Sequence, residues 1–159
     1  MSKSLFETYK KQLEMGKINM YTKIYMNGLP KDAKEIRKSV FIAEQGFQNE
    51  FDDIDDEAAH IVIYSDKDLP AAVCRVFQAH ETETFFLGRL AVLKEYRGKS
   101  IGADVIKEAE KYVREKGGHR IDLHAQCRVS SFYQKLGFTQ YGEIEDDEGC
   151  PHVWMSKLL

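Results

Sequence analysis

A glycine-containing turn offers the sharpest chemical signal in this sequence. Residues 97–102 read Arg-Gly-Lys-Ser-Ile-Gly and stand between an apolar run that ends at Val92 and a segment with helical spacing. A turn of this kind at the start of a helix directs unpaired backbone N–H groups, together with the positive end of the helix dipole, toward one point. The turn therefore favours binding of a phosphate group.

Two other interpretations of this turn have to be weighed. An ordinary tight turn between a strand and a helix also selects glycine and small polar residues. Gly98-Lys99-Ser100 imitates the end of a nucleotide-binding P-loop, but that motif needs a glycine five residues before Gly98, where Leu93 stands. A P-loop nucleoside triphosphatase is therefore not expected.

Acidic residues cluster in two stretches, residues 50–57 and 143–148. The first stretch is typical of a loop, either exposed or facing a cationic ligand, rather than of a strand or a stable helix. Both stretches could attract a cationic molecule such as a polyamine, an aminosugar or a basic peptide, although solvated loops are the simpler explanation.

Metal-ligand spacing is missing from the candidate segments. Residues 52–56 lack the turn glycine and the bidentate glutamate of a calcium loop. The segments 124–127 and 150–152 contain His and Cys but not the paired spacing of a zinc site. No metal site is predicted.

Strand patterns dominate the first half of the chain. They lie at residues 21–26, 60–64, 71–77 and 85–92, separated by polar turns. The last three predict an antiparallel meander. A helix is expected to begin near Asp32, with Glu35 as its capping partner.

Helical spacing alternates with strand patterns in the second half. The predicted elements are a helix from Ile101 that ends at Gly117, a strand at 121–124, a helix at 129–136 and a hairpin formed by 138–143 and 152–158. This order implies a parallel crossover followed by a C-terminal hairpin. An amphipathic helix over residues 4–15 predicts an N-terminal helical extension, residues 1–19, before a single domain at 20–159.

Composition narrows the class of protein. The 159 residues are 43% apolar and 31% charged, which is typical of one soluble domain. The 23 basic residues, set against 26 acidic ones, are scattered, so nucleic acid is not an expected partner. The three cysteines show no spacing typical of a disulfide framework, and there is no signal peptide and no apolar run near the ~20 residues of a membrane span. A cytoplasmic protein is therefore expected.

Two motifs together resemble the GNAT superfamily of acyl-CoA N-acyltransferases. Arg97 and Gly102 match its pyrophosphate loop, although Ser100 stands where the family usually has its first glycine. Downstream, residues 132–138 are similar to its Phe-Tyr-x-Lys-Leu-Gly-Phe signature. The segments 40–45, 124–126 and 151–155 are similar to the ElaA-like branch.

This resemblance implies a mixed α/β fold, with antiparallel N-terminal strands, a parallel central pair splayed around acetyl-CoA and a C-terminal hairpin. The family's coenzyme site maps onto Leu90, Ala91 and Val92, where a bulged strand would pair with the pantetheine arm, and onto Arg97, Gly98, Lys99, Ser100, Ile101, Gly102, Ser130 and Tyr133. A backbone N–H near Ala91 or Val92 would stabilise the oxyanion, and Tyr133 would protonate the departing thiolate. Helical spacing alone would make Tyr133 a core residue instead.

An amine acceptor also requires a general base, because an alkyl amine with a pKa near ~10 is mostly protonated at neutral pH. Glu44 ranks first among the candidates, since in this family it would border the acceptor cleft, followed by three histidines, His60, His124 and His152. Two hypotheses remain: an N-acetyltransferase acting on a primary amine, with a possible homodimeric assembly, or a sensor or structural module that binds acyl-CoA without efficient turnover.

Overall fold

One mixed sheet organises the chain in this computed structural model, which describes the backbone of residues 8–9 and all of residues 19–80 and 82–159. The strands are β1 (Thr8–Tyr9), β2 (Met20–Tyr25), β3 (Ala59–Ser65), β4 (Pro70–Gln78), β5 (Thr84–Val92), β6 (Arg120–Gln126), β7 (Thr139–Asp147) and β8 (Cys150–Leu158). In the described residues their order is β1-β2-β3-β4-β5-β6-β8-β7. Among the strands that the structure describes, only β5 and β6 pair in parallel, as the sequence predicts.

Helices cover the two faces of this sheet. They are α1 (Lys31–Arg37), which continues as a π-helical segment over Lys38–Glu44, α2 (Ile54–Glu57), α3 (Ile101–Glu115) and α4 (Ser130–Lys135). Helices α1 and α2 lie on one face, termed the α1 face, while α3 and α4 lie on the other, termed the α3 face. The parallel pair requires such a crossover, and α3 supplies it.

Burial on both sides explains the apolar central strands. Ile61 and Ile63 of β3 point to the α3 face and join a core cluster with Val105 of α3. Their neighbours Val62 and Tyr64 point to the α1 face. Because adjacent residues of a strand face opposite ways, a strand covered on both faces is apolar throughout.

Two local predictions at the N-terminal side need correction. Thr8–Tyr9, within the predicted helix over residues 4–15, forms a strand that pairs with β2, because the edge of β2 offers unpaired backbone groups. The rest of that predicted helix lies outside the described residues. Asp32 does not cap α1, since its carboxylate accepts a hydrogen bond from the Tyr64 hydroxyl at 2.7 Å.

The parallel pair opens halfway along its length. Pairing between β5 and β6 ends at Leu87 and Leu123. In the next part of β5, two residues, Arg89 and Leu90, stand opposite the single residue Cys74 of β4, and Arg89 has a positive φ of 55°. This bulge bends β5 away from β6. It confirms the expected bulge and places it at Arg89–Leu90.

Candidate functional site

The candidate site is a cavity of about 590 Å³ between the separated ends of β5 and β6. This volume falls within the ~300–1,000 Å³ range of small-molecule sites. Its walls include residues 87–92 of β5 and 123–126 of β6, the end of the π-helical segment, α4 and the tip of the β7–β8 hairpin. The cavity therefore borders both faces of the sheet.

The predicted phosphate turn lies at one end of this cavity. Gly98 and Ser100 have positive φ angles of 75° and 58°, and α3 begins at Ile101. The first N–H groups of an α-helix have no acceptor within the helix, so those of α3 can donate hydrogen bonds to an anion. Ser100 makes no side-chain capping bond. Its left-handed backbone explains why a glycine is expected at this position.

Arg97 is oriented by two contacts. Its Nε donates to the carbonyl oxygen of Val92 at 2.9 Å. Its two terminal nitrogens donate to the Glu44 carboxylate at 3.0 and 2.9 Å. These hydrogen bonds hold the pKa of Glu44 below its ordinary value. Arg97, which is predicted to bind the phosphate, and Glu44, the first-ranked general base, thus form hydrogen bonds with each other.

Tyr133 contributes to the α3-face wall of the cavity. Its ring packs edge-on against Phe132 and Phe138, with centroid distances of 5.0 and 5.9 Å. Burial, with a smaller contribution from Cys74, raises the pKa of Tyr133, so the hydroxyl stays protonated at neutral pH. Both the structural and the catalytic interpretation are compatible with this position, because the side chain is in the core cluster and also lines the cavity.

Gly102 provides a close approach between α3 and α4. A Cβ atom built on Gly102 would lie 3.2 Å from Cζ of Phe132, which is tighter than an ordinary contact. Gly102 also lines the cavity. The second glycine of the motif therefore has a packing reason in addition to any role toward a ligand.

The histidines separate into two groups. His60 is fully buried on β3, with its Nε2 2.8 Å from the carbonyl oxygen of Asp55, and it does not line the cavity. His124 and His152 both line the cavity, and their rings lie 4.9 Å apart. The indole of Trp154 stacks on His124 at 4.7 Å. His60 is therefore removed from the candidate bases, while His124 and His152 remain.

An arginine-carboxylate cluster lies beside the cavity, and no pattern in the sequence predicts it. Arg37 is fully buried and binds Glu50 at 2.8 Å and Asp55 at 2.7 Å. Arg89, at the bulge, binds the same Oε2 atom of Glu50 at 3.1 Å. Arg75 binds Asp55 at 3.0 Å. The acidic stretch, expected to be a loop that is either exposed or faces a cationic ligand, is thus partly helical and partly buried.

In this cluster, burial and the arginine charges shift the pKa of each carboxylate in opposite directions. Burial by itself would raise the pKa of Asp55, but Arg37 and Arg75 outweigh it and hold that pKa below its ordinary value. For Glu50 burial prevails over Arg89 and Arg37, and its pKa is raised. The cluster anchors the bulged part of β5 to the segment that precedes α2. The nearly continuous run of acidic residues at 50–57 does not indicate partners on α1, β4 and β5.

The hairpin tip closes the remaining wall. The Glu148 carboxylate accepts hydrogen bonds from the backbone N–H groups of Gln48 and Asn49 at 3.0 and 3.4 Å. Across the cavity, the Gln126 amide donates to Gln45 at 2.8 Å. Neither contact was foreseen, because each joins segments that are 80 or more residues apart.

The structure brings most of the predicted site residues to one place. Those that line the cavity are Glu44, Leu90, Ala91, Val92, Arg97, Gly102 and Tyr133. Gly98, Lys99, Ser100 and Ile101 form the adjoining turn and the start of α3, and Ser130 is the first residue of α4; these five residues do not line the cavity. Within residues 19–80 and 82–159 there is no group of three or more metal-ligating side chains, and no helix has the length and apolarity to cross a bilayer.

Known proteins share this sequence pattern and architecture. The model of the acetyltransferase (GNAT) domain family matches residues 29–159. The uncharacterized N-acetyltransferase YjcF of Bacillus subtilis is 34% identical over 131 residues, 80% of this chain and 91% of YjcF. The crystal structure of Escherichia coli ElaA has a TM-score of 0.76 at 23% identity and covers 88% of this chain and 99% of its own. That of an acyl-CoA N-acyltransferase from Pseudomonas aeruginosa has a TM-score of 0.77 at 21% identity, covering 87% and 99%. These two crystal structures have the same fold as this chain.

Proposed function

Since this chain belongs to the GNAT acetyltransferase family, we propose that it transfers the acetyl group of acetyl-CoA to a primary amine of a small molecule or peptide by direct attack. The observation that carries the proposal is the opening of β5 and β6 at the Arg89–Leu90 bulge, beside the N-terminus of a 15-residue helix. It combines a free strand edge with a site for an anion.

The coenzyme is assigned to the residues that fit its parts. The pyrophosphate would meet Arg97 and the N–H groups of residues 98–102, and Ser130, the first residue of α4, would add a contact to the coenzyme. The pantetheine arm would pair with the edge of Leu90–Val92 that β6 leaves free. One carbonyl on this edge, that of Val92, already accepts from Arg97.

The reaction needs one proton removed and one supplied. A neutral amine nitrogen attacks the thioester carbonyl carbon, and a backbone N–H near Ala91 or Val92 stabilises the oxyanion until the C–S bond breaks. The nitrogen of the new C–N bond loses one proton to a base, which passes it to solvent. Tyr133 donates its proton to the thiolate and later regains one from solvent. The Tyr133 hydroxyl holds its proton at neutral pH, as this role requires, although the raised pKa makes it a weaker acid.

Titration with acetyl-CoA, followed by thiol release against a panel of amines, tests the proposal. We expect binding, amine-dependent release of CoA, and a loss of roughly 10²-fold or more in kcat for Tyr133→Phe at unchanged coenzyme affinity. Tyr112→Phe, on α3 and outside the cavity, is the matched control. Binding without turnover would favour the sensor alternative, and no binding would leave only the fold.

We also propose a cytoplasmic location and a possible homodimer, as the sequence suggested.

A further inference from the structure

His152 occupies the side of the cavity opposite Tyr133. In the pairing of β6 with β8, His152 stands opposite Gln126 and Trp154 opposite His124, so these side chains share one face. The intervening Val153 points the other way, into the core cluster that contains Tyr133. His152 therefore faces the α1 side of the cleft, and Tyr133 faces the α3 side.

A backbone contact decides which nitrogen of His152 carries a proton. Nδ1 of His152 lies 2.8 Å from the carbonyl oxygen of Cys150. A carbonyl oxygen only accepts, so Nδ1 bears the hydrogen and the neutral ring keeps its lone pair on Nε2. Among the described residues no hydrogen bond is formed at Nε2, although the residue is only 6% exposed and lines the cavity.

Residues from three other segments surround His152. Glu145 of β7 pairs with it across the strands, His124 of β6 contacts its ring, and Phe47 meets it edge-on at 6.4 Å. Burial and the proximity of His152 lower the pKa of His124, which keeps that neighbour neutral. The other charged groups that share the cavity are Glu44, Glu50, Asp147, Glu148, Arg89, Arg97 and Arg128.

The other candidate bases have their lone pairs engaged or enclosed. Glu44 accepts two hydrogen bonds from Arg97. Glu50, a further carboxylate of the cavity wall that was not among the candidate bases, has its Oε2 held by Arg37 and Arg89. Nε2 of His124 has no accessible surface and no hydrogen bond.

We propose that Nε2 of His152 is the general base that removes a proton from the acceptor amine on the α1 side of the sheet. The N–H bond of the amine breaks, the proton forms the imidazolium of His152 and then passes to solvent, while Tyr133 supplies a separate proton to the thiolate on the α3 side. The acceptor amine and the coenzyme thus enter from opposite faces. This inference rests on the proposed acetyl transfer.

The test compares His152→Gln and His152→Ala with His119→Gln, an exposed histidine at the opposite end of β6, using the best amine of the panel. For the two His152 variants we expect kcat/KM to fall by about 10²-fold or more, while the affinity for acetyl-CoA stays within about twofold of the wild-type value. We also expect the acidic limb of the pH profile to disappear and imidazole to restore part of the activity of His152→Ala. Imidazole ¹⁵N chemical shifts of the wild-type protein should report Nδ1–H.

The outcomes distinguish the two proposals. If the wild-type protein turns over but His152→Gln keeps its rate and its acidic limb, or if the shifts report Nε2–H, the assignment of His152 is wrong while acetyl transfer stands. If no amine promotes thiol release from the wild-type protein, acetyl transfer is wrong and the role of His152 is overturned with it.

Discussion

The backbone conformation of Ser100 and the ion pair of Glu44 cannot be predicted from their residue types. Ser100 adopts a left-handed backbone in the phosphate turn, with φ 58° and ψ 20°. Glu44 holds the guanidinium of Arg97. Both effects are confined to one side chain or one backbone unit, and single substitutions can measure them.

Replacing Ser100 by glycine should stabilise the protein. A left-handed conformation costs an L-residue ~1–2 kcal/mol, of which the greater flexibility of glycine in the unfolded chain cancels a part, so we expect a gain of about 1 kcal/mol. Urea denaturation measures it. Ser131→Gly, at an exposed position inside α4, should instead lower stability by about 0.5–1 kcal/mol. A loss at position 100 would show that the serine side chain stabilises the turn.

Replacing Glu44 by glutamine should tighten CoA binding. The carboxylate occupies two donors of Arg97 and repels a pyrophosphate, so its removal should lower Kd by up to about fivefold, matching the ~1 kcal/mol upper range of an exposed ion pair. Calorimetric titration gives Kd, with Glu95→Gln on the neighbouring turn as the control for lost charge. A large fall in kcat at unchanged Kd would mean that Glu44 is the base after all.

At the scale of elements, the bulge in β5 decides whether a cleft exists. Without the extra residue, β5 would continue to pair with β6 past Leu87. The backbone groups of β5 that now line the cavity would then be hydrogen-bonded to β6. Arg89 at the bulge is held by Glu50, which Arg37 of α1 holds in turn. Helix, loop and bulged strand are thus connected through buried charges.

Arg37→Met should destabilise the protein severely. Removing one partner from a buried ion pair leaves carboxylates uncompensated, which costs roughly 3–5 kcal/mol. The free energy of unfolding from urea titration is the measurement. Arg114→Met, whose side chain is 54% exposed and whose nearest carboxylate is 4.0 Å away, should change stability by less than about 1 kcal/mol. Equal effects at the two sites would contradict a structural role for the cluster.

For the whole molecule, buried neutral histidines link stability to pH. Burial lowers the pKa of His60 below its value of 6.5 in the unfolded chain, and the pKa of His124 is lowered as well. Below pH 6.5 the unfolded chain therefore binds protons that the folded chain does not. Their contribution is complete above that pH and is lost as the pH falls.

The free energy of unfolding should consequently decline from pH 7 to pH 5, and His60→Gln should make this decline shallower. Denaturation curves at pH 5, 6 and 7 for both proteins provide the comparison. Glu50, whose pKa is raised, contributes with the opposite sign, but it is common to both proteins. An identical slope in the variant would show that His60 is not buried in its neutral form.

Sequence alone determined the features that depend on near neighbours. The strand meander, the helix that ends before Gly117, the turn at residues 97–102 and the parallel crossover all follow from periodicity and turn chemistry within short windows. The capping of α1 by Asp32 was wrong because a tertiary partner, Tyr64, competed for the carboxylate.

Only the tertiary structure decided which side chains meet. Arg97 and Glu44 are 53 residues apart, and Gln48 and Glu148 are 100 residues apart, so no local pattern predicts either contact. The same holds for the buried arginines that neutralise Glu50 and Asp55. The residue types alone indicate which chemical groups the chain contains. The order of the strands and the bulge in β5 determine which of these groups face one cavity, because both features arise from packing over the whole chain.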